Sequence, residues 1–404
     1  MTARGFGITT AVFFAALFLG IGVYQPFFPI WLQSRGLTAT EIAIVMAAPI
    51  VRIVAAPAIA FLADRIGERR MPIIVLSGLA LACFAAFAIA SSFWPILIVA
   101  ILMAIIWPSI IPLAEAAVVG GSHDRGIDYG RIRLWGSLAF IAGSLVTGLV
   151  VGIWTAASVL WLLIAAQVLT LAVAMALPAM PAAGDGGAEV TTISRVTLAD
   201  VGKLFRGRAF LLMLLATGLT QAAHAFYYAF GAIHWRSLAI DEGVIGLLWS
   251  VGVLGEVLLF AFSGRAVAIL GPVGLIVLGS TAAVVRWAVT AADPPLAVLF
   301  AVQALHGLSF GATHLGTVHF IFRAVPRPFQ ATAQGFYSAV SSGVLLSGTI
   351  MLCGPAYKAL GGEAYLLMCA MAMTATACAL ALARQWRGAL LLGFSPKEPP
   401  RAET

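Results

Sequence analysis

Charge is what this 404-residue sequence has least of: Asp, Glu, Lys and Arg make up only 10% of it, and acidic residues number 16. A soluble domain carries about a quarter of its residues as charges, so water is excluded as the main solvent of this chain. Cysteine is scarce as well. The four, Cys83, Cys353, Cys369 and Cys378, lie in apolar surroundings without paired spacing, which argues against a disulfide framework and against a thiolate metal site. The sequence has no HExxH, no Walker A loop and no GxGxxG, so no metal, no cofactor and no ATP drive are expected. Gly307-Leu308-Ser309-Phe310-Gly311 fits GxSxG formally, but it sits in an apolar helix without the strand-turn-helix context that exposes a nucleophile. The chain is therefore not expected to be an enzyme. Long polar loops and tails are scarce as well, which leaves little surface for a receptor or scaffold to engage a macromolecule.

Hydrophobic residues, by contrast, account for 62%, and the mean hydropathy is +1.04. A bilayer core about 30 Å thick is crossed by a helix of about 20 apolar residues. Such stretches are predicted at 8–31, 41–63, 71–92, 95–119, 129–153, 155–177, 209–235, 243–263, 271–290, 295–322, 329–352 and 363–384. The expected fold class is an all-α membrane protein of twelve transmembrane helices. The first segment follows a single Arg4 and has no small-residue cleavage site, so it reads as an uncleaved helix. The net charge of +7 reports topology. With a cytoplasmic N-terminus, most Lys and Arg, including Arg65, Arg69, Arg70, Arg206, Arg208, Arg323, Arg384 and Arg387, fall on the cytoplasmic side, and only Arg35, Arg236 and Lys358 fall outside. A bacterial inner-membrane protein with both termini cytoplasmic is expected, a monomer in the lipid bilayer, with no nucleic-acid partner.

The longest polar stretch divides the chain. The expected organisation is a six-helix bundle at 1–180, a cytoplasmic linker at 181–208, a second bundle at 209–388 and a tail at 389–404. A shift that lays Trp31 on Trp235 also lays Gly67 on Gly271 and Arg52 on Glu256. Such a tandem repeat predicts two pseudo-symmetric bundles facing each other across a central cavity, with opposite charges at one equivalent depth.

Ionisable groups in hydrocarbon cost at least about 2.5 kcal/mol each, so they persist where they pair or line a wet cavity. Five stand out: Arg52, Glu115, Arg133, Glu256 and Arg286. Glu115 and Arg133 are equidistant from Asp124, in the turn between predicted helices 4 and 5, which matches their depth and lets them pair. Glu256 and Arg286 are equidistant from Gly271, and Arg286 and His306 from Leu296, so a second cluster is expected in the other half. Three cations against two anions leave one positive charge, which favours an anionic small-molecule substrate. Predicted helix 7 adds Gln221, His224, Tyr227 and Tyr228, the last three on one helical face suited to hydrogen bonding and stacking on a ring. Predicted helix 1 brings Tyr24 and Gln25 beside Pro26 and Pro29, read as a broken turn, and His314 and His319 are weaker candidates.

These residues resemble the major facilitator superfamily along the whole chain. Ala60-Phe61-Leu62-Ala63-Asp64-Arg65-Ile66-Gly67-Glu68-Arg69-Arg70 is similar to its cytoplasmic gate motif, with Ala60 where glycine is usual and Glu68 where a base is usual. The resemblance implies a gate at Asp64, Arg65, Gly67 and Arg69. More narrowly, Gly22-Val23-Tyr24-Gln25-Pro26-Phe27-Phe28-Pro29 resembles the branch holding lactose permease and the 3-phenylpropionate transporters. Asp128-Tyr129-Gly130-Arg131-Ile132-Arg133-Leu134-Trp135-Gly136-Ser137 and Gln221-Ala222-Ala223-His224-Ala225-Phe226-Tyr227-Tyr228 look like the phenylpropionate group's helix 5 and helix 7. That likeness implies substrate contacts from Tyr24, Gln25, Arg52, Glu115, Arg133, Trp135, Gln221, His224, Tyr227 and Tyr228, and proton coupling through Glu256, Arg286 and His306. Ser309 stands where the permease has its proton-carrying acid, which leaves Glu256 as the first choice of carrier. The expected function is proton-coupled import of an organic anion such as an aromatic carboxylate. Alternative readings are a proton symporter of a neutral sugar or nucleoside, an exporter, and a non-transporting receptor. Gly136 to Ser144 lacks the Gly-Pro step of drug antiporters, which weighs against export.

Overall fold

The computed structural model describes residues 2–55, 59, 62, 65, 68–123, 125–179, 207–326 and 329–391. Helices are numbered in chain order: α1 Ala3–Ser34, α2 starting at Ala39–Met46, α3 Arg70–Ile89, α4 Phe93–Ser122, α5 Tyr129–Ile153 and α6 Ser158–Ala176. They continue with α7 Arg208–Ser237, α8 Glu242–Ala261, α9 Ser263–Thr290, α10 Leu296–Ala324, α11 at 330–360 and α12 Tyr365–Gln385. Among the described residues ten helices are long and apolar enough to cross a bilayer, and one of these, Thr332–Gln385, spans 54 residues. Twice the length of a single span, it turns back at Gly361, whose φ of 55° is the left-handed conformation that glycine adopts without strain. The expected second span is described only in part.

Polar residues mark where helices begin. Thr38 and Glu41 form a reciprocal capping box at α2, Asp128 accepts from Gly130 N at 2.8 Å, and Asp241 accepts from Gly243 N at 2.7 Å. Two expectations need correction. Pro26 and Pro29 do not break α1, which runs through both; spanning helices tolerate proline because neighbouring helices hold them in shape. The turn after α8 is not an open loop reaching Gly271: a short helical stretch from Ser263 precedes a kink at Gly271 (φ 64°), and Pro272 starts the spanning part.

Within the first half, α1 packs on α5 and α6, and α3 on α6; within the second, α7 packs on α11 and α12, and α9 on α12. Between halves the main crossings are α5 with α8 and α2 with α11. Advancing each number by six exchanges one crossing for the other, the signature of a two-fold pseudo-axis between two bundles. This is the two-bundle arrangement that the sequence resemblance implies. The linker at 181–206 and the tail beyond 391 lie outside the described residues.

One end of the molecule is sealed at both crossings. A Cβ on Gly246 would stand 2.5 Å from Ser144 O, and one on Gly354 2.6 Å from Ala39 O; Gly148 meets Glu242 O in the same way. Ser144 Oγ donates to Gly246 O at 3.0 Å across the first of these. That end carries the turns at 35–38, 154–157, 238–241 and 361–364. The opposite end carries Thr2 and the end of α12.

Candidate functional site

Between the bundles lies a cavity of about 440 Å³ lined from both halves. The first half contributes Phe18, Ile21, Tyr24, Gln25, Met46, Pro49, Arg52, Arg133, Ser137 and Phe140. The second contributes Tyr227, Tyr228, Trp249, Val253, Glu256, His306, Phe310 and part of α11. A second void of about 450 Å³, sharing Pro49, Arg52 and Ser342, continues toward the end that bears the termini, past Pro112, Gly335 and Ser338.

Helix irregularities shape this chamber. α2 tightens into a 3-10 turn at Ala48–Val51 and α4 at Trp107–Ser109, each with a proline in its first turn. α7, α10 and α11 widen into π-turns at Tyr227–Gly231, Gly307–Ala312 and Ala339–Leu346. Such turns rotate the residues on either side off the regular helical face. In α7 the π-turn follows His224, whose ring still stacks on Tyr228 with centres 5.7 Å apart; both tyrosines line the cavity, while His224 is fully buried behind it.

The second half holds a continuous polar chain. Glu256 Oε1 lies 2.8 Å from His306 Nε2, and His306 Nδ1 lies 2.7 Å from Arg286 Nη1. A guanidinium only donates, so Nδ1 accepts, and the imidazole is the neutral tautomer that donates from Nε2 to the carboxylate. Arg286 Nη1 also donates to Ser309 Oγ at 3.1 Å, and Nη2 to Gln303 Oε1 at 2.7 Å. On the far side His224 Nδ1 donates to Thr220 O at 3.0 Å, which leaves Nε2, 3.2 Å from Ser309 Oγ, to accept the serine proton. The guanidinium, itself fully buried, stacks over the rings of Tyr227 at 4.8 Å and Trp287 at 4.4 Å. Gln221 points nearby, its Nε2 3.4 Å from Phe310 O.

The first half is different in kind. Arg133 Nε stands 3.5 Å from Glu115 Oε1, both side chains part-exposed at 31% and 40%, and the Arg133 guanidinium lies 3.9 Å from the centre of the Phe18 ring. Arg133 lines the cavity and Glu115 braces it from behind. Arg52 makes no salt bridge among the described residues, and its Nε is buried without a hydrogen-bond partner. Trp135 does not join the site. Arg133 and Ser137, one turn apart, share the cavity face, which turns Trp135 outward, and it is 56% exposed.

Of the expected gate, Asp64 and Gly67 lie outside the described residues, and Arg65 and Arg69 flank the start of α3. Glu68, the departure from the motif, accepts from Arg70 N at 2.8 Å and Met71 N at 2.9 Å, so it caps α3. Sequence reasoning missed two residues on the cavity wall and one buried behind it. Trp249 stacks on Tyr227 with ring centres 4.1 Å apart, Phe18 carries Arg133, and Gln303 anchors Arg286. A buried glutamine one turn before His306 was the available signal for the last.

Comparison with known proteins agrees with this fold. The family model described as "MFS_1 like family" matches residues 8–362. The chain is 29% identical over 364 residues to the "Probable 3-phenylpropionic acid transporter" of Escherichia coli (strain K12), covering 89% of this chain and 93% of that protein. It is 28% identical over 338 residues to the "Maltose permease" of Geobacillus stearothermophilus, covering 82% and 83%. Among solved structures, a mutant of the nucleoside transporter NupG superposes with a TM-score of 0.82 at 15% identity over 95% of this chain and all of that one. An inward-facing, unoccupied bacterial homologue of the human lysosomal transporter Spinster gives 0.70 at 13% identity, over 95% and 97%. The chain belongs to the MFS_1 like family, and it is a multi-pass secondary transporter of the major facilitator type.

Proposed function

We propose that this transporter imports an organic carboxylate together with a proton. The observation that carries the reading is Arg52, a cation on the cavity wall without an ionic partner among the described residues, while Arg133 faces Glu115 and Arg286 is tied through His306 to Glu256. An unpaired guanidinium in a low-dielectric chamber is costly, and a substrate carboxylate relieves that cost. The name of the Escherichia coli relative points to the same chemistry.

Glu256 is the proton acceptor in this reading. It faces the cavity and is the terminal acceptor of the Arg286 to His306 chain. Protonating it removes the charge that balances Arg286 and loosens the contact between α8 and α10, a local change able to bias one conformation over another. Glu115 and Arg133 separate or reorient when the substrate enters. With the termini on the cytoplasmic side of a bacterial inner membrane, the sealed end is external and the conformation described is inward-open. In a monomeric transporter the 1–180 and 209–388 bundles then move about the two crossings, and the gate expected at Asp64, Arg65, Gly67 and Arg69 serves the other end.

The test is competition for uptake between a carboxylate and its uncharged amide. Carboxylates should compete and amides should not, and Arg52→Gln should remove the difference. Equal competition by amides, sugars or nucleosides refutes the anion reading.

A further inference from the structure

A second chamber of about 220 Å³ opens off the cavity into the first half, between α1, α2 and α4. It meets the main cavity at Ile21, Tyr24, Gln25, Pro49 and Arg52. Its deeper wall is Leu17, Val45, Ala100, Met103, Ala104 and Trp107, all at most 7% exposed. The two proline-bearing 3-10 turns, Ala48–Val51 and Trp107–Ser109, face each other across it, and the first of them ends on Arg52. The void therefore has a cause. Where both helices depart from regular geometry, small residues at 48, 100 and 104 leave space that no side chain fills.

We infer that this side chamber is the specificity pocket for the substrate's apolar group, holding a single aromatic or alicyclic ring while Arg52 at its mouth holds the carboxylate. This rests on the anion reading and adds the place and size of the remainder of the molecule. A cavity of about 150 Å³ lined by apolar side chains is enough to bind benzene. One ring with a short linker fits here with room to spare, whereas a fused bicyclic would need about all of the chamber. The indole of Trp107 presents an aromatic wall, itself fixed edge-on by Phe84 and Tyr24 with ring centres 5.3 Å away in both cases. Met103 supplies an adaptable one.

Equilibrium binding of 3-phenylpropionate to the purified full chain, with displacement by propionate and 3-(2-naphthyl)propionate, tests it. Ala104→Leu, which fills the chamber, should weaken 3-phenylpropionate by about tenfold or more, the scale of one buried ring, and leave propionate within about twofold. Met103→Ala, which enlarges it, should admit the naphthyl acid more readily. Should Ala104→Leu leave 3-phenylpropionate unaffected while Arg52→Gln still weakens every carboxylate, the ring lies elsewhere and the pocket assignment is overturned. Should no carboxylate bind the unsubstituted protein, the anion reading itself fails and takes this one with it.

Discussion

Replacing Gly246 by valine should unseal the end of the molecule that is closed here. A Cβ at that position sits 2.5 Å from Ser144 O, about 0.9 Å inside ordinary contact near 3.4 Å. Both atoms are fixed to helix backbones, one on α8 and one on α5, so no side-chain rotation relieves the clash and the halves must part. Overpacking of this kind costs about 1–3 kcal/mol. Loss of the Ser144 to Gly246 hydrogen bond, 3.0 Å long, adds about 1 kcal/mol. The cost falls on the sealed conformation only, so the equilibrium should move toward the alternative by roughly 30- to 900-fold for a total of about 2–4 kcal/mol. The assay is alkylation of Ile350→Cys, a cavity position, by an impermeant maleimide supplied to the loop-bearing face. Gly246→Val should raise its rate by at least an order of magnitude, with the fold kept as judged by circular dichroism. An unchanged rate in a folded protein would mean that this crossing does not hold the end closed.

Glu256→Gln should abolish uphill uptake while sparing substrate exchange, because the amide oxygen still accepts from His306 but no longer takes up a proton; preserved uphill uptake removes Glu256 from coupling. Ser309→Ala should leave binding of the carboxylate within about threefold, since Ser309 lies behind the cavity, yet slow net transport more than exchange, because Arg286 loses one of three anchors worth about 1–3 kcal/mol. A matched loss in binding and both transport modes would assign Ser309 to packing instead. Thr38→Ala breaks the capping box of α2 and should lower stability by about 1 kcal/mol, read as a fall in the melting temperature of the purified protein. Rescue by Thr38→Ser would attribute that loss to the hydroxyl.

The class of fold was plain in the composition, because apolar runs of spanning length leave a bilayer few other solutions. Depth matching also set Glu256, Arg286 and His306 at one level, but Gly271 is not the turn that α8 and α9 share: Glu256 meets His306 on α10, and His306 in turn meets Arg286. What periodicity did not carry was rotation about the helix axis. Trp135 was placed in the cavity by its neighbours' signature, but it stands two residues from Arg133 and so faces the other way. His224 shares a face with Tyr228, as the 3.6-residue count gives, but the count does not tell a cavity-lining position from the covered one that His224 occupies. The same blindness concealed the side chamber. Pro49 and Pro108 announce two local breaks, but only three-dimensional packing sets them opposite each other.

The tautomer of His306 limits the stoichiometry of any coupled cycle. Its δ nitrogen accepts from a guanidinium, which has no site for a proton, so the ring, already donating from its ε nitrogen, neither stores a second proton nor relays one. In the proposed cycle it is a fixed donor, and Glu256 is the proton reservoir of this chain of side chains. A measured ratio above one hydrogen ion per molecule carried would then demand another reservoir elsewhere in the protein.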